Sequence, residues 1–206
     1  MAALMIGGHQ FCAATVIGER AALTAAHCQV DPATDVLLVG TQDLTDGGRR
    51  IGIAQTRNHW QWTSTTSGHD VAVLILADPV GVPPIELARV APDDGTVLVL
   101  GWGRTSESGS GSSVLLQAEL PLVPWEQCWQ AYPLALDDTM LCSGGEDLDA
   151  CYGDSGGPLV RDGKQLGIVS FGRGCGRPGF PGVNTSVPVV LDWIEACVFP
   201  QKARQK

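Results

Sequence analysis

Short apolar runs broken by clusters of Gly, Pro, Ser and Asp fill most of the chain, the pattern of strands joined by tight turns. Residues 2–6 read as a strand, Gly7-Gly8 as a hairpin turn, and residues 10–17 as the returning strand. Residues 21–24, 36–39 and 51–56 give three more. Residues 71–76 are almost continuously apolar, which predicts a strand buried on both sides. Six such runs predict a first barrel-like sheet. Residues 77–96 hold four prolines and several acids without clear periodicity and read as a connector. Strands resume at 97–100, 114–123, 140–142, 158–160, 167–171 and 182–187, enough for a second sheet. Between them, residues 105–113 are nearly all Ser, Gly and Thr, an exposed loop, and residues 125–131 suit one or two helical turns. Val190, Trp193, Ile194 and Cys197 have helical spacing, so residues 189–198 predict a terminal helix followed by a frayed basic tail.

Composition narrows the class. With 206 residues, 44% of them hydrophobic, the chain suits one large all-β unit or two small domains. The net charge of −9 argues against nucleic acid and anionic membrane surfaces as partners, and no apolar run reaches the ~18 residues of a spanning helix. Seven cysteines without a zinc spacing suggest disulfides and an oxidising compartment. Residues 1–8 lack the basic leader and apolar length of an export signal, so further sequence is expected upstream of Met1.

The candidate chemistry centres on residues 149–158, Asp-Ala-Cys-Tyr-Gly-Asp-Ser-Gly-Gly-Pro. Gly153, Gly156 and Gly157 permit turns that aim consecutive N–H groups at one point, where a negative oxygen could form. Ser155 sits among them. A serine hydroxyl needs a base, and His27 in Thr-Ala-Ala-His-Cys is the candidate. Asp70 enters the apolar run at 71–76, where a buried acid needs a partner. A metal site at His27-Cys28 is the rival, but no Cys-x-x-Cys or His-x-x-x-His occurs, so no metal or cofactor is expected.

Five ordered segments, Thr-Ala-Ala-His-Cys (24–28), His-Asp-Val-Ala (69–72), Gly-Trp-Gly (101–103), Gly-Asp-Ser-Gly-Gly-Pro (153–158) and Ser-Phe-Gly (170–172), resemble the chymotrypsin/trypsin family of serine endopeptidases. The anchors run from Cys12 to Asp192-Trp193-Ile194. The resemblance implies two six-stranded antiparallel Greek-key β-barrels and a C-terminal helix, with the first barrel N-terminally truncated. Residues 1–84 would form the first barrel, 85–186 the second, and 187–206 the helix and tail. It implies a catalytic triad of His27, Asp70 and Ser155, and an oxyanion hole from the Gly153 and Ser155 N–H groups. Ser170 would hydrogen-bond Asp70. Disulfides would join Cys12 to Cys28, Cys128 to Cys142 and Cys151 to Cys175. Cys197 would be a buried free thiol or would pair outside this sequence.

By the same resemblance, Asp149 forms the floor of a pocket for Arg or Lys, walled by Ser170, Phe171, Gly172 and Gly182, with Tyr152 at the rim. Ala150 stands where a Ser is common, which tilts preference toward Arg. Asn184 replaces a common Tyr and opens a sequon that burial should close. Thr41 stands at the first acidic position of the family's calcium loop, so calcium is not expected. The implied protein is a secreted monomeric endopeptidase acting on protein or peptide substrates, with protein inhibitors as further partners. A catalytically silent homologue that binds proteins is the alternative. Activation in the family pairs a new N-terminal ammonium with the aspartate before the nucleophile, here Asp154. Ile6-Gly7-Gly8 only faintly matches such a terminus, and six residues from Ile6 to Cys12 reach about 20 Å at most. Asp154 is thus expected to lack a cationic partner, and a chain starting at Met1 to be zymogen-like with a loosely ordered 153–155 loop.

Overall fold

The computed structural model describes residues 1–199; the basic tail lies outside the described residues. The first half forms six strands: β1 (Ala2–Ile6), β2 (His9–Gly18), β3 (Ala21–Thr24), β4 (Val36–Val39), β5 (Arg49–Asn58) and β6 (Ala72–Leu76). They close into an antiparallel barrel of order β1-β2-β3-β6-β5-β4. The barrel expected to be truncated is therefore complete in its ladder, because β1 pairs with both β2 and β4. Gly7 and Gly8, at φ +58° and +85°, make the β1–β2 turn that the sequence predicts there.

The connector holds one short strand, β7 (Glu86–Leu87), too brief to leave a periodic signal. The second half adds β8 (Thr96–Gly101), β9 (Leu116–Val123), helix α1 (Trp125–Ala131), β10 (Met140–Ser143), β11 (Pro158–Arg161), β12 (Lys164–Phe171) and β13 (Gly182–Ser186). Strands β8-β9-β10-β13-β12-β11 close through the β11–β8 pairing, and β7 lies parallel along β12. Helix α2 (Val187–Val198) ends the described chain.

Each barrel has its own core, as alternation along its strands demands. Leu4, Leu23, Leu37, Ile51 and Leu74 fill the first, and Val97, Leu120, Leu159 and Leu166 the second. Helix α2 follows the second barrel in sequence but returns Val190 and Ile194 to the first barrel's core. That return straps the halves together, so the surfaces between them are held in one geometry. β6, read as buried on both sides, has four of its five residues buried.

Three disulfides form, Cys12–Cys28, Cys128–Cys142 and Cys151–Cys175. Cys197 is a half-buried free thiol.

Candidate active site

His27 lies in a short 3-10 turn, Ala26–Cys28, at the end of β3, and the turn stops at Gln29 in a left-handed conformation. Asp70 enters β6 after Gly68 and His69, both left-handed at φ +74° and +55°. Asp70 is 1% exposed, so its carboxylate depends on internal donors. His27 Nδ1 lies 2.6 Å from Oδ2, and the His27 backbone N–H donates to Oδ1 at 2.9 Å. One residue thereby occupies both carboxylate oxygens, and Nδ1 is committed to Asp70.

The second barrel supplies the remaining ties. Ser170 Oγ donates to Asp70 Oδ2 at 2.5 Å. It can do so because β12 shifts register against β13 between Val169 and Phe171, and the bulge takes Ser170 out of the ladder. Thr185 Oγ1 donates to the Asp70 carbonyl at 3.0 Å, and the His69 N–H donates to Thr139 Oγ1 at 3.0 Å. Sequence reasoning names Ser170 but misses Thr185 and Thr139, which are single hydroxyls in or beside strands.

Cys12, His27 and Cys28 lie close enough together to hold a metal, but the two sulfurs are bonded to each other. Their proximity is accounted for by the disulfide.

Ser155 opens the stretch before β11. Its carbonyl accepts the Ala13 N–H at 2.7 Å, which ties the serine turn to β2. Gly153 has φ +100°, and a Cβ there would lie 3.0 Å from Gly103 Cα, so backbone conformation and close approach both demand glycine. Gln10 Nε2, a residue the sequence does not flag, donates to the Gly153 carbonyl at 2.8 Å. The Asp154 N–H donates to Cys151 O, the Gly156 N–H to Val169 O and the Gly157 N–H to Asp154 O. Among the described residues, the N–H groups of Gly153 and Ser155 have no acceptor. The loop expected to be loose is thus bonded on both sides of two free donors.

None of the ion pairs among the described residues involves Asp154. Its carboxylate takes backbone donors: Gly103 N–H at 2.8 Å and Cys151 N–H at 3.0 Å. Burial still pushes the Asp154 carboxyl above the usual range, against the pull of those two donors.

One cavity of about 250 Å³ is lined by His27, Ser155, Asp149, Ala150, Tyr152, Ser170, Phe171, Gly172 and Gly182. Every side chain assigned to the triad or pocket lines it except Asp70, which lies behind His27. Asp149 is half-buried in its lining, where burial pushes its carboxyl up to about 6, partly offset by N–H donors from Gly176 and Ala150. A Cβ at Gly182 would lie 2.4 Å from Asp149 Oδ1, so only glycine leaves that oxygen in place. A Cβ at Gly172 would lie 3.3 Å from the Gly174 carbonyl oxygen, a tight contact that is milder than the one at Gly182. Asn184 is 2% exposed and bonds to Ser143 Oγ, which closes the sequon.

Comparison with known proteins agrees with this arrangement. The Trypsin family profile matches residues 1–194. Trypsin 5G1 of Aedes aegypti is 35% identical over 202 residues, covering 92% of this chain and 76% of that protein. A trypsin of Saccharopolyspora erythraea is 38% identical over 198 residues, covering 90% of this chain and 86% of that one. The solved structure of neuropsin, a serine protease expressed in the limbic system of mouse brain, superposes with a TM-score of 0.90 at 32% identity, covering 96% of this chain and 93% of its own. A profile match along nearly the whole chain, relatives above 30% identity and the two closed barrels place this chain in the trypsin family, as a trypsin-like serine endopeptidase.

Proposed function

We propose that this protein is a secreted endopeptidase that cleaves after Arg, and less readily after Lys, through an acyl-enzyme on Ser155. Ser155 Oγ attacks the substrate carbonyl carbon while His27 Nε2 takes the hydroxyl proton. The oxygen that becomes negative is held by the Gly153 and Ser155 N–H groups, each such donor contributing about 3–4 kcal/mol to the transition state. As the C–N bond breaks, His27 returns the proton to the leaving amine. Water then enters by the same route, and the acid product leaves. Asp70 holds the His27 tautomer and stabilises the imidazolium.

The observation that carries this reading is the shared cavity: a serine with two free amides beside it, a histidine fixed by a buried aspartate, and one half-buried acid, Asp149, in its lining. The acid supports basic selectivity, because an uncompensated carboxylate is costly to bury and a substrate cation would supply its partner. Three disulfides support an oxidising, extracellular setting. A fluorophosphonate probe should label Ser155, and a peptide library should be cut after Arg and Lys. Failure to label would favour a silent binder, and cleavage mainly after Phe, Tyr or Leu would remove Asp149 from the pocket.

For activation, we infer that Asp154 takes a cationic partner. A cavity of about 400 Å³ that shares Asp149 with the first is lined by Asp154, Asp149 and Asp147 against Arg104, while Glu107 on its wall is already paired with Arg177. That excess of acid favours an ammonium. Asp154→Asn is expected to lower the activity of the activated enzyme, and unchanged turnover would refute the pairing.

A histidine base must be neutral to act, so kcat/KM should rise with pH and stay high on the alkaline side. His59 cannot produce that limb. Burial and the neighbouring His69 lower His59 to about 4, where it stacks on His69 and meets Trp193 at a tilt. A maximum near pH 4 would instead indicate a carboxylate mechanism.

A further inference from the structure

We propose that Glu107 and Arg177 are positioning residues for basic selectivity: they clasp the 174–177 turn so that its Gly176 N–H aims the Asp149 carboxylate into the substrate cavity. The proposal rests on Asp149 being the selectivity residue.

Asp149 Oδ2 accepts the Gly176 N–H at 3.1 Å. Where that amide points decides where the carboxylate points. Yet Gly176 lies in Gly174-Cys175-Gly176, whose two glycines are left-handed at φ +84° and +65°. Such a turn has many alternatives in an unrestrained chain. The Cys151–Cys175 disulfide fixes one residue of it, and the Asp147 N–H fixes the Gly176 carbonyl at 2.9 Å. The far side is fixed by charge. Arg177 Nε and Nη2 donate to Glu107 Oε2 at 2.9 Å and Oε1 at 2.5 Å, a two-pronged pairing that sets direction as well as distance. Glu107 thus takes two bonds from one residue of the turn.

The pair lies flat on Gly174. A Cβ at Gly174 would come within 2.4 Å of Arg177 Nε and 2.6 Å of Glu107 Oε2. On the other side, Glu107 belongs to the Ser/Gly-rich loop, which is itself anchored at Arg104. The Arg104 N–H donates to Tyr152 O at 2.9 Å, and its guanidinium lies 5.3 Å from the Tyr152 ring centre. The clasp therefore links the Tyr152 rim to the turn that orients Asp149, across 70 residues of sequence.

Arg177 is half exposed and Glu107 more than a third, so solvent screens the pair and it contributes little to global stability. Its effect should be local, on cation binding and not on the chemistry. In the active enzyme, Glu107→Gln and Arg177→Gln should each weaken benzamidine binding and raise KM for an Arg substrate by about three- to fivefold, with kcat nearly unchanged. The rate of Ser155 labelling by a fluorophosphonate should not move. The charge-reversed double variant Glu107→Arg with Arg177→Glu should recover most of the benzamidine affinity, and Arg177→Lys should fall between. Equal losses in labelling and in binding would mean a merely structural role and overturn the proposal. Unchanged benzamidine affinity in variants of an enzyme that still prefers Arg would also overturn it. An unmodified enzyme with no preference for Arg would overturn the Asp149 reading, and the clasp with it.

Discussion

Ser155→Ala is expected to lower turnover by about 10⁶-fold, leaving a residual about 10³–10⁴ above the uncatalysed rate from oxyanion stabilisation and binding. The protein should stay folded. Truncation removes only the Oγ, while the Ser155 carbonyl keeps its bond from the Ala13 N–H, and the flanking amides of Asp154, Gly156 and Gly157 keep theirs. His27→Ala should reduce turnover similarly but unfold more easily. Asp70 is 1% exposed, and losing the imidazole leaves its carboxylate with the Ser170 hydroxyl and the backbone N–H of residue 27. Breaking a buried charged pair costs up to about 3–5 kcal/mol, and those two donors should keep the cost below that limit. The two variants therefore separate chemistry from support: equal loss of rate, unequal loss of melting temperature. Steady-state kinetics with calorimetry on the purified proteins tests both halves. Near-normal turnover in Ser155→Ala would end the assignment of the nucleophile.

How far a sequence reveals such a site depends on the range of each interaction. Strand β6 and the β1–β2 hairpin were legible because apolar runs and glycine pairs act locally. Ser155, His27 and Asp70 were legible because each stands in a segment whose neighbours are constrained with it. Thr185 and Thr139 were not. A hydroxyl in or beside a strand carries no mark of its target, and Thr185 meets Asp70 across 115 residues only because the two barrels are strapped together. Gln10 is hidden for the same reason: its contact with Gly153 spans 143 residues. Strand β7 was missed because two residues are too few to show alternation. The 153–155 loop illustrates a different limit. The sequence marks Asp154 as an acid beside the nucleophile but gives no sign of the Gly103 and Cys151 amides that bond it.

Asp149→Ser is expected to lower kcat/KM for Arg substrates by roughly 30- to 5000-fold, the equivalent of about 2–5 kcal/mol for removing one partner of a buried, hydrogen-bonded charge pair. Cleavage after small or apolar residues should change far less. The same substitution should act in the opposite direction on stability. The folded Asp149 titrates at about 6, above its ordinary 3.8, mainly because burial disfavours the charge. Between those two values the folded protein holds a proton that the unfolded chain has lost. Stability should therefore fall as pH rises through that window, and this penalty is fully present above about pH 6. The variant has no such group, so it should melt above the parent at pH 8, with the gap closing toward pH 4. Cation binding has the reverse dependence, because only ionised Asp149 attracts it. Benzamidine involves no proton transfer by His27, so its affinity isolates this titration: it should weaken as pH drops below about 6 in the parent and stay flat in Asp149→Ser. Scanning calorimetry and benzamidine titration across pH 4–8 give the two readouts from one pair of proteins. A variant that keeps its Arg preference, or a parent whose benzamidine affinity does not change with pH, would mean that the cation is held by some group other than Asp149.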